Sequence, residues 1–167
     1  MPDGDYLVEL VAVDNIVLER LVQVATSDAL ADEVTPPLTS GPEWTPTRIA
    51  WLRAFHVDRR AGLQGPAGEV TWAVVLDQRV VGSVRLQRTQ QSGELETGAW
   101  LTRSSRGQGV GRAAMEAVLR EAAALGFVAV CARTTVSNAS ALRLLKRLGF
   151  DLTPTGDDGG IYALLAI

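Results

Sequence analysis

Arg106-Gly107-Gln108-Gly109-Val110-Gly111 is the stretch of this sequence whose residue types point most directly to chemistry. Alternating glycines let a ligand approach the backbone, and the first amides of a following helix have no partner inside it. The helix dipole favours negative charge there, so a strand, this turn and a helix form a device for binding phosphate. Two common versions do not fit. A P-loop needs a lysine followed by a hydroxyl residue, and neither is present; the dinucleotide fingerprint needs a third glycine where Arg112 stands. Upstream, Glu94 and Glu96 fall on one side of a strand by the two-residue period, offering a pair of carboxylates. Cys131 and His56 are the sole residues of their kinds, too few for a His/Cys metal cluster. Cys131 reads as a buried strand thiol with nothing nearby to activate it, and His56 as a surface or packing residue.

The elements that must hold these residues follow from pattern. A strand at 7–13 leads to a helix capped by Asp14, with Ile16, Leu18 and Leu21 among its apolar residues. Pro36-Pro37, Gly41-Pro42 and Pro46 predict a loop over 26–46. A second helix is predicted from about 47 to 60, with Ile49, Leu52, Phe55 and His56 on one face. Strands at 70–76, 80–86 and 94–101 are separated by gaps short enough for hairpins, so they form an antiparallel meander. A helix over 107–125, stopped by Gly126, precedes a strand at 127–133, which can lie parallel to the strand ending at Leu101. Ser137 or Asn138 caps a helix that ends at Gly149, and a hairpin turned at Asp157-Asp158-Gly159-Gly160 closes the chain. The order β-α-α-β-β-β-α-β-α-β-β, without repeat or linker, predicts one α/β (α+β) domain over 1–167.

Composition sets the outer bounds. The chain is 47% hydrophobic and 21% charged, ordinary for a globular protein, and its net charge of -3 gives no nucleic-acid footprint. One cysteine excludes an intramolecular disulfide, the opening residues are acidic where a signal peptide is basic, and no apolar run approaches the ~20 residues of a membrane span. The expectation is a cytoplasmic protein, neither exported nor inserted in a membrane. Residues 1–45 hold nine acids against Arg20 alone. Either these form solvated helix faces, or they make an electronegative entrance for a cationic ligand.

The R-x-x-G-x-G turn at Arg106–Gly111 resembles the pyrophosphate-binding motif of the GNAT superfamily of N-acetyltransferases. Its downstream companion, N-x-x-A-x-x-L-x-x-x-L-G-F, is matched by Asn138, Ala141, Leu144, Leu148, Gly149 and Phe150. Glu96-Thr97-Gly98-Ala99-Trp100-Leu101 is similar to the E-x-G-Y-W-L strand of the ribosomal-protein alanine acetyltransferase (RimJ/RimL) branch. The resemblance spans essentially the whole chain. It implies the acyl-CoA N-acyltransferase fold, a mixed and mostly antiparallel sheet of about seven strands flanked by about four helices. It further implies acetyl-CoA as co-substrate, no metal, a primary amine acceptor and, as in many family members, a homodimer.

By the same resemblance the backbone of Leu101 and Arg103 pairs with the pantetheine arm where two parallel strands splay. Arg106, Gly107, Gln108, Gly109, Val110, Gly111 and Arg112 hold the pyrophosphate, and Asn138 reaches the pantetheine from the other side. Arg143 either approaches the nucleotide end or is a solvated helix residue. Direct attack on the thioester needs a neutral amine, and a lysine-like amine has a pKa of ~10.4, so a base must take a proton. Glu96 stands where related enzymes often place that base, although an acceptor-binding or structural carboxylate fits the position too; Glu94 is the reserve. Trp44 and Trp51 border the acceptor region, while Trp72 and Trp100 read as core. The departure from the family lies with the general acid. Its tyrosine position is Leu145, and the serine position common in the branch is Ala141. Two readings stay open: an acetyl-CoA-dependent N-acetyltransferase, acting on a protein N-terminus or a small cationic amine, and a silent coenzyme-binding module of the same fold.

Overall fold

The structure, a computed structural model, describes residues 7–156 and 158–167. Apolar alternation starts β1 (Val8–Ala12), and Asp14 then accepts the Val17 N–H at 2.8 Å to start α1 (Asn15–Asp28). After α2 (Ala31–Val34) and α3 (Pro46–Asp58) comes the meander β2 (Glu69–Leu76), β3 (Arg79–Arg88) and β4 (Glu94–Leu101). The rest is α4 (Val110–Ala124), β5 (Ala129–Thr135), α5 (Ala139–Arg147), β6 (Asp151–Pro154) and β7 (Gly160–Ala166). The β2–β3 hairpin turns on Asp77 and Gln78, both at positive φ (49° and 65°), as a two-residue turn demands.

Two expectations are corrected here. The stretch 26–46 is not all loop: α1 runs on to Asp28 and α2 adds a single turn, so among the described residues five helices flank the sheet rather than about four. Pro46, counted against helix, opens α3 instead; at the first helical position its missing N–H removes no bond, and Thr45 caps the turn through the Arg48 N–H. Of the predicted closing turn, Asp157 lies outside the described residues.

One seven-stranded sheet runs in the order β1-β2-β3-β4-β5-β7-β6, and β4–β5 is its parallel pair. On one face α4 and α5 bury Val118 and Leu145 against Leu86, Leu95 and Val130. On the other, α1 and α3 bury Leu21 and Leu52 against Ala73 and Val80. The decisive feature lies at the centre. Parallel pairing runs from Glu94↔Ala129 to Thr97↔Ala132 and stops; beyond it, 98–101 stay paired with β3, whereas 133–135 stay paired with β7. The two strands therefore part, leaving facing backbone edges with no strand between them.

Candidate active site

The glycine turn sits at the mouth of that gap. Gly107 and Gly109 have φ of 74° and 81°, a backbone that L side chains rarely adopt, and a Cβ at either would meet nothing within 4 Å. Gly109 is the N-cap of α4 and supplies no side-chain cap. The first amide of the helix to find an acceptor is that of Ala113, to the Gly109 carbonyl at 3.1 Å. Among the described residues the N–H groups of 107–112 have no acceptor. Val110 is fully buried, and Gly111 lies against Leu101 (3.4 Å) and Leu144 (3.8 Å), so the turn is fixed from behind and open in front. A row of amides without acceptors, at the positive end of a helix, fits a diphosphate.

The side chains around the turn are engaged elsewhere. Arg106 is ion-paired with Glu33 and also donates to the Leu101 carbonyl at 3.0 Å. Arg103 lies 4.0 Å from the same carboxylate, and Ser104 donates to Asp28 through both its hydroxyl and its N–H. Gln108 donates back to the Ser104 carbonyl (3.1 Å), and Arg112 to Glu116 (3.0 Å). Asn138 accepts the Ala141 N–H at 3.1 Å, capping α5, so its oxygen is occupied and its amide nitrogen is left to donate. Arg143 is exposed on α5, with no ionic partner among the described residues. Part of the acidic N-terminal segment is engaged within the protein rather than solvated. Asp28 and Glu33 brace the turn, Asp32 pairs with the buried Arg48 at 2.6 Å, and Glu19 pairs with Arg53 at 3.0 Å. Asp3 and Asp5 lie outside the described residues.

Across the sheet face opposite α4 runs a row of alternating charges. Glu69, only 3% exposed, accepts from Arg59 and, at 3.0 Å, from Arg85. Arg85 donates onward to Glu96 at 3.3 Å, and Arg133 holds the other Glu96 oxygen at 3.2 Å. Gly98 makes this row possible, because Arg85 Nε lies 2.8 Å from where a Cβ would stand. Beside the row Tyr162 donates to Glu94 at 3.1 Å, and these groups with Cys131 line an open groove of about 780 Å³. Burial, with Glu94 close by, pushes the Cys131 thiol up to about 12, which leaves it protonated and inert. Burial likewise raises Tyr162 to about 12, helped by Cys131 and Glu94. Leu145 is buried in the core, so nothing at the family's tyrosine position can donate a proton.

On the same face, between α3 and the half of β4 that has parted from β5, lies a second cavity of about 270 Å³. Trp51, Phe55, His56, Arg85 and Trp100 line it, with Glu33 at one side. Trp100, read from sequence as core, is half-buried against the core under α1 and α3 and also forms a wall of this cavity. Trp44 instead packs beside α1 and donates to the Ala29 carbonyl at 3.0 Å. His56 is 1% exposed, and burial, then the Arg59 and Arg60 charges, lower its pKa to about 4.

The sequence reasoning did not single out Arg85, Arg133, Glu69, Tyr162 or Glu33. Alternation of polar residues, Arg85 and Gln87 on β3 and Glu94 and Glu96 on β4, was the one available signal, and without register it names no partner.

Comparison with known proteins agrees with the architecture. The model of the acetyltransferase (GNAT) domain matches residues 18–151. RimL, a ribosomal α-N-protein acetyltransferase solved in complex with coenzyme A, superposes with a TM-score of 0.77 at 18% identity, over 99% of this chain and 97% of that one. The microcin self-immunity acetyltransferase MccE, solved with acetyl-CoA and AMP, gives 0.75 at 14% identity, over 100% and 96%. The GNAT domain of S. lividans PAT gives 0.70 at 17% identity, over 96% and 89%. These likenesses are of fold. No curated protein sequence matches the chain. With the family model covering most of its length, from the first helix to the penultimate strand, this chain belongs to the GNAT acetyltransferase family.

Proposed function

We propose that the chain is an acetyl-CoA-dependent N-acetyltransferase of RimJ/RimL type, moving an acetyl group to a primary amine by direct attack within a ternary complex. The observation that carries this reading is the run of partnerless amides over 107–112, set at the mouth of the β4–β5 gap. In this reading those amides hold the coenzyme's pyrophosphate, assisted by Arg112. The backbone of Leu101 and Arg103 and the Asn138 amide nitrogen align the pantetheine, and Arg143 meets the nucleotide end. Arg106 acts through its backbone, its guanidinium being committed to Glu33 and Leu101.

Acetyl-CoA supplies the activated thioester. The amine nitrogen forms a bond to the carbonyl carbon, the carbon–sulfur bond breaks, and the sulfur leaves as a thiolate. Glu96 takes the amine's proton through a water. With Leu145 and Ala141 in the acid positions, the thiolate collects its proton from solvent, and orientation supplies much of the rate. The acceptor is a protein N-terminus or a small cationic amine.

Thiol release from acetyl-CoA across a panel of amines tests this. Glu96→Gln should lower kcat by about 100-fold with acetyl-CoA affinity retained. NAD or ATP stabilising the fold more than acetyl-CoA does would reject the coenzyme assignment. One observation favours the silent-module reading: both Glu96 oxygens are already held by guanidinium groups, Arg85 on one and Arg133 on the other. Tight acetyl-CoA binding without turnover of any amine would select it.

A further inference from the structure

His56 is the only histidine in the chain, and the mechanism above does not use it. Its Nδ1 lies 2.9 Å from the Thr71 hydroxyl, while its Nε2 is buried with no hydrogen-bond partner. The tautomer follows from counting donors. Thr71 Oγ1 has no other partner among the described residues, so a proton on Nδ1 would strand the hydroxyl hydrogen as well as the Nε2 lone pair. With Thr71 donating to Nδ1, only one group is left over, an Nε2–H. A buried donor without an acceptor gives up its hydration for nothing, so native structures rarely keep one without a reason.

The ring lines the 270 Å³ cavity, whose other walls include Trp51, Phe55 and Trp100. The cavity also touches Gly98, Ala99 and Trp100, the stretch that lost its parallel partner where the strands part. Any group seated there is therefore next to the gap. Neither charge in the cavity wall is left without a partner: Arg85 is engaged by Glu69, Gln87 and Glu96, and Glu33 by Arg106. A carboxylate or an ammonium buried there would lose its hydration with no free counter-charge, whereas a neutral oxygen needs only the one donor on offer.

Resting on the acetyltransferase reading, we infer that this cavity is the acceptor's specificity subsite. It selects amines that carry an uncharged oxygen acceptor beside an apolar group, and the oxygen accepts from His56 Nε2–H. The aromatic walls take the apolar group, and the amine is left facing the β4–β5 gap.

A single histidine makes the test direct. The protein labelled with 15N-histidine and saturated with acetyl-CoA is titrated with leucinamide, isopentylamine and leucine, which share a side chain and differ in bearing a neutral carbonyl, no oxygen or a carboxylate. The expected result is an Nε2–H tautomer whose Nε2 resonance moves with leucinamide and not with the other two. An Nδ1–H tautomer, no response to saturating leucinamide, or an equal response to isopentylamine overturns the inference; the last two would mean that a resident water satisfies the ring. In steady state, His56→Phe should raise KM for leucinamide at least 10-fold with a smaller effect on kcat, and His56→Gln, which keeps a donor, should recover part of the loss. Equal KM in all three proteins overturns it too. If leucinamide moves Nε2 but no amine is acetylated, the transfer reading falls and the subsite stands. If amines are acetylated with the resonance unmoved, the reverse holds.

Discussion

The two halves of the candidate site are built by opposite means. In the proposed reading the glycine turn at 107–112 binds through main-chain amides; it is assembled from consecutive residues and depends on side chains only to hold it in place. The proposed acceptor side, from Glu69 through Arg85 and Glu96 to Arg133 and across to His56, is built instead of side chains drawn from α3 and from β2, β3, β4 and β5. A backbone cradle tolerates change in its neighbours and fails when the backbone itself is altered. A side-chain lattice behaves the other way: each member is held by the next, so one substitution is felt across the sheet.

The sharpest way to break the contrast is Gly109→Val, which puts a branched side chain at a φ of 81° where the turn needs open space. Acetyl-CoA affinity by calorimetry should fall by about 100-fold or more, roughly 3 kcal/mol. Acceptor-side ion pairs should be undisturbed, so a large stability loss without an affinity loss would erase the distinction. On the lattice side, Glu69→Ala leaves Arg59 and Arg85 facing each other without their shared carboxylate. Denaturant unfolding should show a loss of about 3 kcal/mol, near the low end for breaking a buried pair because both arginines keep some water contact. Acetyl-CoA affinity of the folded fraction should hold.

The third test uses pH. His56 ionises near 6.5 in the unfolded chain and at about 4 in the fold, so between those values the unfolded state binds the extra proton. The stability this contributes is complete above pH 6.5 and is lost as pH falls to about 4, by about 3 kcal/mol. Subtracting the profile of His56→Gln isolates it from the carboxylates; parallel profiles would mean a hydrated ring. Smallest is Glu33→Ala, which frees Arg106 and Arg103 at an exposed site. Stability should change by less than about 1 kcal/mol, while acetyl-CoA binding tightens a few-fold at low salt and less so at high salt.

The same contrast explains what could be read in advance. The meander, the parallel β5, the turn and both helices around it were legible, because each rests on local signals: alternation, Asn138 and Asp14 as caps, Gly126 and Gly149 as stops. Pro46 misled for a reason equally local, since proline forbids a helix interior and favours a helix start. Trp100 does pack against the core, but its place in the cavity wall was not legible because α3, which forms the other side, is remote from it in sequence. Glu96 was found but its two guanidinium partners were not; one is 11 residues away on β3 and the other sits across the parallel pair.

By itself, then, the sequence determined where the backbone must turn and which amides a helix start must leave free, since φ preferences and helix geometry act between neighbours. Only the tertiary structure decided which charges face one another, that the acidic N-terminal segment braces the turn, and that the lone histidine is buried beside the gap. Those outcomes depend on strand register and on which helix covers which half of the sheet, and burial and Coulomb energies act through space rather than along the chain.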